Sequence, residues 1–366
     1  MHPIHPSHPP HPPHQKTLDV KLARIVADPG CRDFILADAK DADMAFGLAA
    51  PGLAPGGVPG RGPFRSIDDY RESIRELVRQ GLVDIMLMSA STNELLAIEE
   101  NIFAATGVTP AVRMNDTTDI WLAAGTGSYP REPALPFATT TIGQARSGRV
   151  DMLHAEPGRG ANLGLFSLTL NDDAALDRGM LEAYRQFRLE AERAGFRHFL
   201  EVFFPNAPDA VPGKPAGRLR DRPGGIARFL ADHVVRCLAG VPRAGRPIFL
   251  KIPYLGPEVT EQLAAYDRSV VVGILGGGAG TTHDAFGLVE EAKRHGARVA
   301  LFGRKINAAE HQPTFVRLLR AVADGDIAAA EGVRAYHGEL GKLGIRPARP
   351  LADDLARSDT ASAYGG

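Results

Sequence analysis

The sequence predicts an α/β protein built on a closed (β/α)8 barrel, the TIM-barrel fold. Three observations predict it. Short apolar segments alternate with helix-like segments from about residue 30 onward, eight strand segments occur, and no glycine-rich dinucleotide fingerprint follows the first strand. The chain has 366 residues, enough for one such barrel with insertions. An open doubly wound sheet is the alternative, and the missing fingerprint counts against it.

The elements follow one another in a regular order. Continuous apolar runs predict the eight strands at 34–38, 83–88, 110–115, 163–170, 196–204, 247–252, 269–275 and 298–302. Amphipathic stretches predict helices at 66–80, 92–106, 173–194, 224–240, 282–295 and 312–323. Ser66 followed by Asp69 is typical of a helix cap.

The chain divides into three regions. Residues 1–16 form a His/Pro tail with histidine at every third position, which we expect to be solvated and disordered, with weak metal binding as the alternative. Residues 17–340 form the barrel, and residues 341–366 form a C-terminal extension. The irregular stretch 117–160 is an insertion, either a loop over a site or a hairpin extension; a surface or oligomer contact is equally compatible with it.

Composition excludes several classes of function. The formal net charge of −1 gives no indication of nucleic-acid or anionic-membrane binding. Cys31 and Cys237 belong to no CxxC pair, so neither a disulfide framework nor a zinc site is expected. No apolar run approaches the length of a membrane span, and the N-terminus lacks signal-peptide regions. We therefore expect a cytoplasmic protein without membrane or nucleic-acid partners.

Lys251 is the most informative residue for function. It interrupts the apolar run of the sixth strand, where burial of its charge favours the neutral amine. A neutral amine near the end of a barrel strand is what a Schiff-base nucleophile requires. The alternatives are a lysine that extends to solvent or pairs with a carboxylate.

The ends of the last two strands suggest an anion site. Gly276, Gly277 and Gly278 follow the seventh strand, and Gly303 with Arg304 follows the eighth. Glycines allow backbone N–H groups to approach an anion, the start of the following helix adds a favourable dipole, and arginine offers a bidentate contact. These two loops are the usual phosphate site of the fold. A tight turn after the seventh strand is the alternative.

Three further polar residues are candidates. Glu201 lies inside the apolar fifth strand, where it either transfers protons or faces outward to a basic partner, and parity does not decide. Asp38 ends the first strand and either contacts substrate or lies in a polar loop with Asp41 or Asp43 as a helix cap. Asn115 ends the third strand and either binds a hydroxyl or makes an Asx turn.

The order of the last three strand ends resembles that of a known family. A lysine strand (250–256), a glycine-rich end (276–281) and a Gly-Arg end (303–304) resemble the class I, Schiff-base aldolases of the DhnA/archaeal fructose-bisphosphate aldolase type, with the related tagatose-bisphosphate aldolases. The resemblance covers roughly residues 30–325.

The resemblance implies specific roles. Lys251 would form the iminium, and the substrate phosphate would be held by Gly277, Gly278, Gly303 and Arg304. Asp38 would match the family's strand-one aspartate, and Asn115 resembles its strand-three asparagine. Neither a metal nor another cofactor is implied.

One position departs from the archaeal pattern. Phe204 occupies the slot of a proton-transferring tyrosine, whereas Leu200-Glu201 resembles the tagatose-type relatives. The acid/base role therefore passes to Glu201, with Tyr254 as fallback.

The resulting hypothesis is a metal-independent aldolase acting on a phosphorylated keto-sugar or keto-acid, in a chain expected to form a homo-oligomer. The alternative is a non-catalytic sugar-phosphate-binding barrel.

Overall fold

Eight parallel strands form a closed barrel in the computed structural model of the protein. The model describes residues 15–58, 61–118, 121, 131–151, 159–211, 213–277 and 280–358, so all but the last two residues of the predicted His/Pro tail lie outside it. The barrel strands are β1 Ile35–Lys40, β2 Ile85–Met88, β3 Thr109–Arg113, β4 Leu163–Thr169, β5 Arg197–Phe203, β6 Leu250–Lys251, β7 Gly273–Leu275 and β8 Val299–Phe302.

The strands pair in chain order. The sheet runs β6-β5-β4-β3-β2-β1-β8-β7, and a parallel bridge between Ile252 and Ile274 joins its two ends. Two backbone hydrogen bonds complete this seam, from the Ile252 N–H to the Gly273 carbonyl at 3.0 Å and from the Leu275 N–H to the Ile252 carbonyl at 2.9 Å. The predicted barrel is therefore confirmed, and the open sheet is excluded.

Helices surround the barrel. Those of ten residues or more among the described residues are α1 Thr17–Ala27, α2 Ile67–Gln80, α3 Ala174–Ala194, α4 Gly225–Ala239, α5 Pro257–Tyr266, α6 Thr282–Arg294, α7 Gln312–Asp324 and α8 Ala329–Lys342. Ser66 and Asp69 form the predicted reciprocal cap of α2. The predicted helix 92–106 is wrong in extent, since an α-helical turn Ala90–Asn93 runs into a π-helix that ends at Glu99.

The remaining elements are short. They are the helices Asp43–Phe46, Ile142–Ser147, Arg218–Asp221, Arg304–Asn307 and Leu351–Leu355, the 3-10 turns Gly47–Ala49, Pro208–Ala210 and Arg243–Gly245, and two antiparallel pairs. One pair joins Leu53–Val58 to Gly62–Phe64, and the other joins Asp116–Thr117 to Pro136–Phe137. Except for Asp116, the second pair lies within the predicted insertion 117–160, and it has the antiparallel form of a hairpin. None of the described helices combines the length and the apolar character of a membrane span.

Strand alternation divides the apolar residues into two cores. On β1, Ile35, Ala37 and Ala39 belong to the cluster inside the barrel, whereas Leu36 belongs to the cluster between the barrel and its helices. The same two-residue period continues around the barrel, so the parity of a residue decides which core its side chain joins. This rule determines which polar residues meet at the barrel mouth.

Helix α1 attaches to the N-terminal end of the barrel. Leu18 is fully buried in the inner cluster. The Lys21 ammonium lies 2.8 Å from Asp84, a carboxylate that also accepts the Leu36 N–H at 2.9 Å and lies 3.4 Å from Arg320 of α7. Asp84 thus joins α1, the loop before β2 and an outer helix.

We predict that Asp84→Ala lowers the free energy of unfolding by about 2–4 kcal/mol, because the Leu36 N–H and Lys21 lose their buried acceptor, while Arg320 keeps its contact with Asp324. Urea unfolding measures the change. Asp68→Ala, at an exposed carboxylate on α2, is the control and should cost less than about 0.5 kcal/mol. Equal stability of the two variants would contradict this account of Asp84.

Candidate active site

Lys251 and Glu201 face each other inside the barrel. They are register partners on β6 and β5. Phe199 of β5 and Phe249, which directly precedes β6, lie two residues before the charged pair and stack at 4.6 Å in the inner core. Parity therefore directs the two charged side chains inward as well. The Lys251 Nζ lies 2.6 Å from Glu201 Oε1, and the side chains are 5% and 0% exposed. Glu201 therefore faces inward, and its outward alternative is excluded.

The second oxygen of Glu201 is also engaged. Ser167 on β4 donates its hydroxyl to Oε2 at 2.7 Å. Arg113 on β3 approaches the same oxygen at 3.8 Å and donates to the Ser167 hydroxyl at 3.3 Å. A continuous polar chain therefore crosses β3, β4, β5 and β6 at the C-terminal end of the barrel, where TIM-barrel active sites lie.

Arg113 connects this chain to two more carboxylates. Its Nη1 donates to Asp41 at 2.9 Å, and its Nε lies 2.8 Å from Asp116. Burial by itself would lower the pKa of Arg113, but Asp41, Asp116 and Glu201 together raise it above its ordinary value. Burial raises the pKa of Asp116, and Arg113 opposes that shift. Arg113 is thus a permanent cation among three acids.

Asn115 follows β3 as predicted, and its side chain is engaged with the neighbouring strand. Its side-chain oxygen accepts the Ser167 N–H at 2.6 Å, and its amide donates to the Ser167 carbonyl at 2.9 Å. The side chain therefore continues the sheet hydrogen bonding from β3 to β4 and fixes Ser167. We correct its assignment from substrate binding to positioning.

Asp38 does not join the site. It alternates with the inward Ala37 and Ala39, and its carboxylate lies 3.2 Å from Lys40 in the layer outside the barrel. Lys40 in turn donates to Gln312 of α7 at 3.0 Å. Burial raises the pKa of Asp38 to about 6, against the opposing effect of Lys40. The prediction that Asp38 belongs to the catalytic set is wrong in its geometry, since strand parity directs its side chain away from Lys251.

Tyr254 and Phe204 also lie outside the barrel interior. Both pack against the outer apolar cluster. Burial, followed by the nearby Glu291 of α6, raises the pKa of Tyr254 well above its ordinary value. The fallback assignment to Tyr254 is therefore corrected, and Glu201 is the acid that faces Lys251.

The predicted anion-site residues lie at the ends of two adjacent strands. Strands β7 and β8 pair in register, and the Gly276 N–H bonds to the Leu301 carbonyl at 2.6 Å. Gly277 follows directly, and Gly278 lies outside the described residues. Arg304 is half-buried at the start of the short helix Arg304–Asn307.

Packing also requires glycine here. A Cβ on Gly276 would collide with the Phe302 ring, and one on Gly303 would collide with the Ala39 carbonyl. These glycines are therefore required by the packing of the turns, and this requirement is compatible with binding of an anion to their backbone.

The start of α6 is already capped by the protein. Thr281 and Asp284 form a reciprocal cap, and the Thr282 N–H donates to Asp354 at 2.7 Å. We expected the N-terminus of α6 to attract the bound anion. That expectation is corrected, because a carboxylate of the chain itself occupies the N-terminus of the helix.

Sequence reasoning missed three members of the site as functional candidates. They are Asp41, Arg113 and Ser167. Arg113 and Ser167 interrupt apolar strands as Lys251 does, and that shared signal could have marked them. Asp41 continues the inward series of Ala37 and Ala39. The sequence does not reveal this direction, because it predicts a strand that ends at Asp38, whereas β1 extends to Lys40.

Comparison with solved structures gives the same fold. An archaeal fructose 1,6-bisphosphate aldolase superposes with a TM-score of 0.55 at 18% identity, covering 84% of this chain and 100% of that one. The same coverage holds for an archaeal aldolase whose catalytic Lys is covalently bound to the carbinolamine intermediate of its substrate, with a TM-score of 0.56 at 18% identity. This chain has the fold of those aldolases.

A Corynebacterium glutamicum protein also matches, with a TM-score of 0.50 at 17% identity over 86% of this chain and 100% of that one. No protein-family model matches the chain, and no curated protein matches its sequence. At these identities the likeness establishes the barrel fold alone.

We predict that Glu201→Gln increases the rate at which formaldehyde and cyanoborohydride methylate Lys251 by about tenfold near neutral pH, because removal of an adjacent negative charge favours the neutral amine. Peptide mass spectrometry at Lys251 measures the rate. Glu258→Gln, an exposed change on α5, serves as the control and should leave it unaltered. An unchanged or slower rate in Glu201→Gln would refute the assigned electrostatic coupling.

Proposed function

We propose that the protein is a class I aldolase that cleaves or forms a carbon–carbon bond in a phosphorylated keto-sugar or keto-acid through a Schiff base on Lys251. One observation carries the proposal: Lys251 and Glu201 form a buried contact of 2.6 Å at the C-terminal end of the barrel. A buried lysine beside a carboxylate has both a nucleophile and a proton acceptor within hydrogen-bond reach.

The chemistry follows from this pair. Lys251 transfers a proton to Glu201, and its neutral nitrogen attacks the substrate carbonyl. Glu201 returns this proton to the alkoxide, and then removes a proton from the nitrogen and passes it to the carbinolamine hydroxyl, which leaves as water and gives the iminium. The iminium accepts the electron pair of the breaking carbon–carbon bond while the β-hydroxyl proton passes to a base. Protonation of the enamine and hydrolysis then release the ketone product and restore Lys251.

The polar chain around Glu201 supports its role in proton transfer. Ser167 fixes one carboxylate oxygen by donating to it at 2.7 Å, which leaves the other oxygen directed at Lys251. Asp41 reaches the same chain through Arg113 and replaces Asp38 as the strand-one acid in our assignment. Asp41 is therefore our candidate for the second proton-transfer group.

The phosphate of the substrate would bind beyond β7 and β8. Gly276, Gly277, Gly303 and Arg304 are at the strand ends where this fold usually binds phosphate. Gly278 keeps its sequence-based assignment to the same site. Solved neighbours act on fructose 1,6-bisphosphate, which favours a phosphorylated ligand here.

A second candidate is a non-catalytic barrel that binds a sugar phosphate. The observation that favours it is the same contact, because a 2.6 Å ion pair also stabilises a buried lysine without any reaction. The two candidates differ in one measurable property, the formation of a covalent adduct.

We expect borohydride to trap an adduct on Lys251 when the protein is incubated with its keto substrate. The screen uses fructose 1,6-bisphosphate, tagatose 1,6-bisphosphate and phosphorylated keto-acids, with intact mass as the measurement. Lys251→Ala should abolish the adduct, and the exposed Lys342→Ala should retain it. A ligand that binds and leaves neither adduct nor product would instead support the non-catalytic barrel.

We further expect Glu201→Gln to lower turnover of the identified substrate by about a hundredfold to ten-thousandfold, the usual loss for a general acid/base. Asp41→Asn should lower turnover as well, whereas Asp38→Asn, which keeps an acceptor for Lys40, should change stability more than kcat. Steady-state kinetics and urea unfolding separate the two effects. A larger kcat loss in Asp38→Asn than in Asp41→Asn would reverse our choice of the strand-one acid.

A further inference from the structure

The C-terminal segment 349–358 binds the loop that follows β7. The Arg349 guanidinium donates to the Gly280 carbonyl at 2.6 Å, and the Thr281 hydroxyl donates to the Ala356 carbonyl at 2.8 Å. Asp354 accepts the Thr282 N–H at 2.7 Å. Three consecutive residues, the last two of the loop and the first of α6, thus bind to a part of the chain that contributes no barrel strand.

The segment also reaches the first turn of α6. Ser358 donates its backbone N–H to Asp284 at 2.9 Å and its hydroxyl to the same carboxylate at 2.6 Å. Asp284 is the residue that closes the reciprocal cap with Thr281. The segment therefore contacts the end of the loop and also Asp284, the carboxylate that caps α6 directly after the loop.

The loop after β8 meets the same point. Lys305, the neighbour of Arg304, donates its ammonium to the Gly280 carbonyl at 3.1 Å. Gly280 has a φ of 100°, a conformation that favours glycine, and a Cβ there would collide with Asp284. The Gly280 carbonyl is therefore a junction between the ends of β7 and β8 and the C-terminal segment.

The segment itself is anchored to the outer layer. Asp354 is 5% exposed, and its second oxygen lies 2.9 Å from the His337 ring on α8. An aspartate buried between a histidine and a helix N–H is held on both sides. These contacts anchor the segment at Asp354.

We propose that segment 349–358 is a positioning element of the anion site, which holds the ends of the β7 and β8 loops at the separation that the substrate phosphate requires. The inference rests on the proposed function, since the anion is taken to be the substrate's phosphate. Arg349 and Asp354 act through Gly280 and Thr282, so they are positioning residues rather than phosphate ligands. The segment would accordingly affect recognition of the phosphate more than the reaction at Lys251.

The test compares Arg349→Ala, Arg349→Lys and Asp354→Asn with the control Asp353→Asn, an exposed neighbour on the same short helix. Inorganic phosphate serves as the probe of the anion site, by calorimetry. Trapping of dihydroxyacetone and of dihydroxyacetone phosphate on Lys251 by borohydride separates phosphate recognition from Schiff-base chemistry.

We expect Arg349→Ala and Asp354→Asn to weaken phosphate binding about tenfold, the effect of losing one charge-assisted hydrogen bond that orders the loop. They should raise KM for the phosphorylated substrate with little change in kcat, and should trap dihydroxyacetone at the wild-type rate. Arg349→Lys should recover most of the affinity, because lysine keeps a donor for the Gly280 carbonyl.

Unchanged phosphate affinity in both variants, with urea unfolding showing that they are folded, would overturn the inference. Equal losses for both ketones would also overturn it, because the segment would then support the whole barrel rather than the anion site. If the wild-type protein traps neither ketone, and none of the substrates of the borohydride screen, on Lys251 but binds phosphate, the proposed function fails, and the phosphate affinities still decide the role of the segment.

Discussion

Burial of the Lys251 ammonium beside Glu201 is the constraint on which the rest of the barrel mouth depends. A buried charge without partners is strongly unfavourable, so Lys251 requires a carboxylate, and Glu201 at 2.6 Å provides it. Glu201 is itself fully buried and needs partners for its second oxygen, which Ser167 and Arg113 supply. Each charge in the mouth therefore requires the next one, and the chain ends only where Arg113 meets Asp41 and Asp116.

Part of this polar network can be predicted from the sequence, and the rest cannot. Lys251 and Glu201 are visible because each interrupts an apolar run, and eight such runs suffice to predict the barrel. Their mutual contact was not predictable, because both strands are apolar on both faces and parity depends on register. The error at Asp38 has the same origin. The strand continues two residues further than its apolar run, so the last inward carboxylate is Asp41.

Other elements could not be predicted because tertiary contacts stabilise them. Helix α1 follows the His/Pro tail, and its burial depends on Leu18 entering the inner core and on Lys21 reaching Asp84. The helix Leu351–Leu355 has five residues and would not be stable alone. It is supported by Asp354, which meets both His337 and the start of α6. The local pattern of apolar and polar residues does not identify contacts with residues that are far away in the sequence.

The distribution of charge gives the barrel mouth a polarity that bears on how a substrate would lie. Three carboxylates surround Arg113 of β3: Asp41 after β1, Asp116 after β3 and Glu201 on β5, so this cation is already neutralised. In the closed strand order β7 lies opposite β3, and beyond it Arg304, Lys305 and Arg349 lie together with the carboxylates Asp284, Asp354 and Glu310. The excess of carboxylates around Arg113 would repel a phosphate, whereas the charges beyond β7 are closer to balance. If Lys251 forms the proposed Schiff base, a substrate whose phosphate extends toward β7 and β8 would keep that phosphate away from the carboxylates around Arg113.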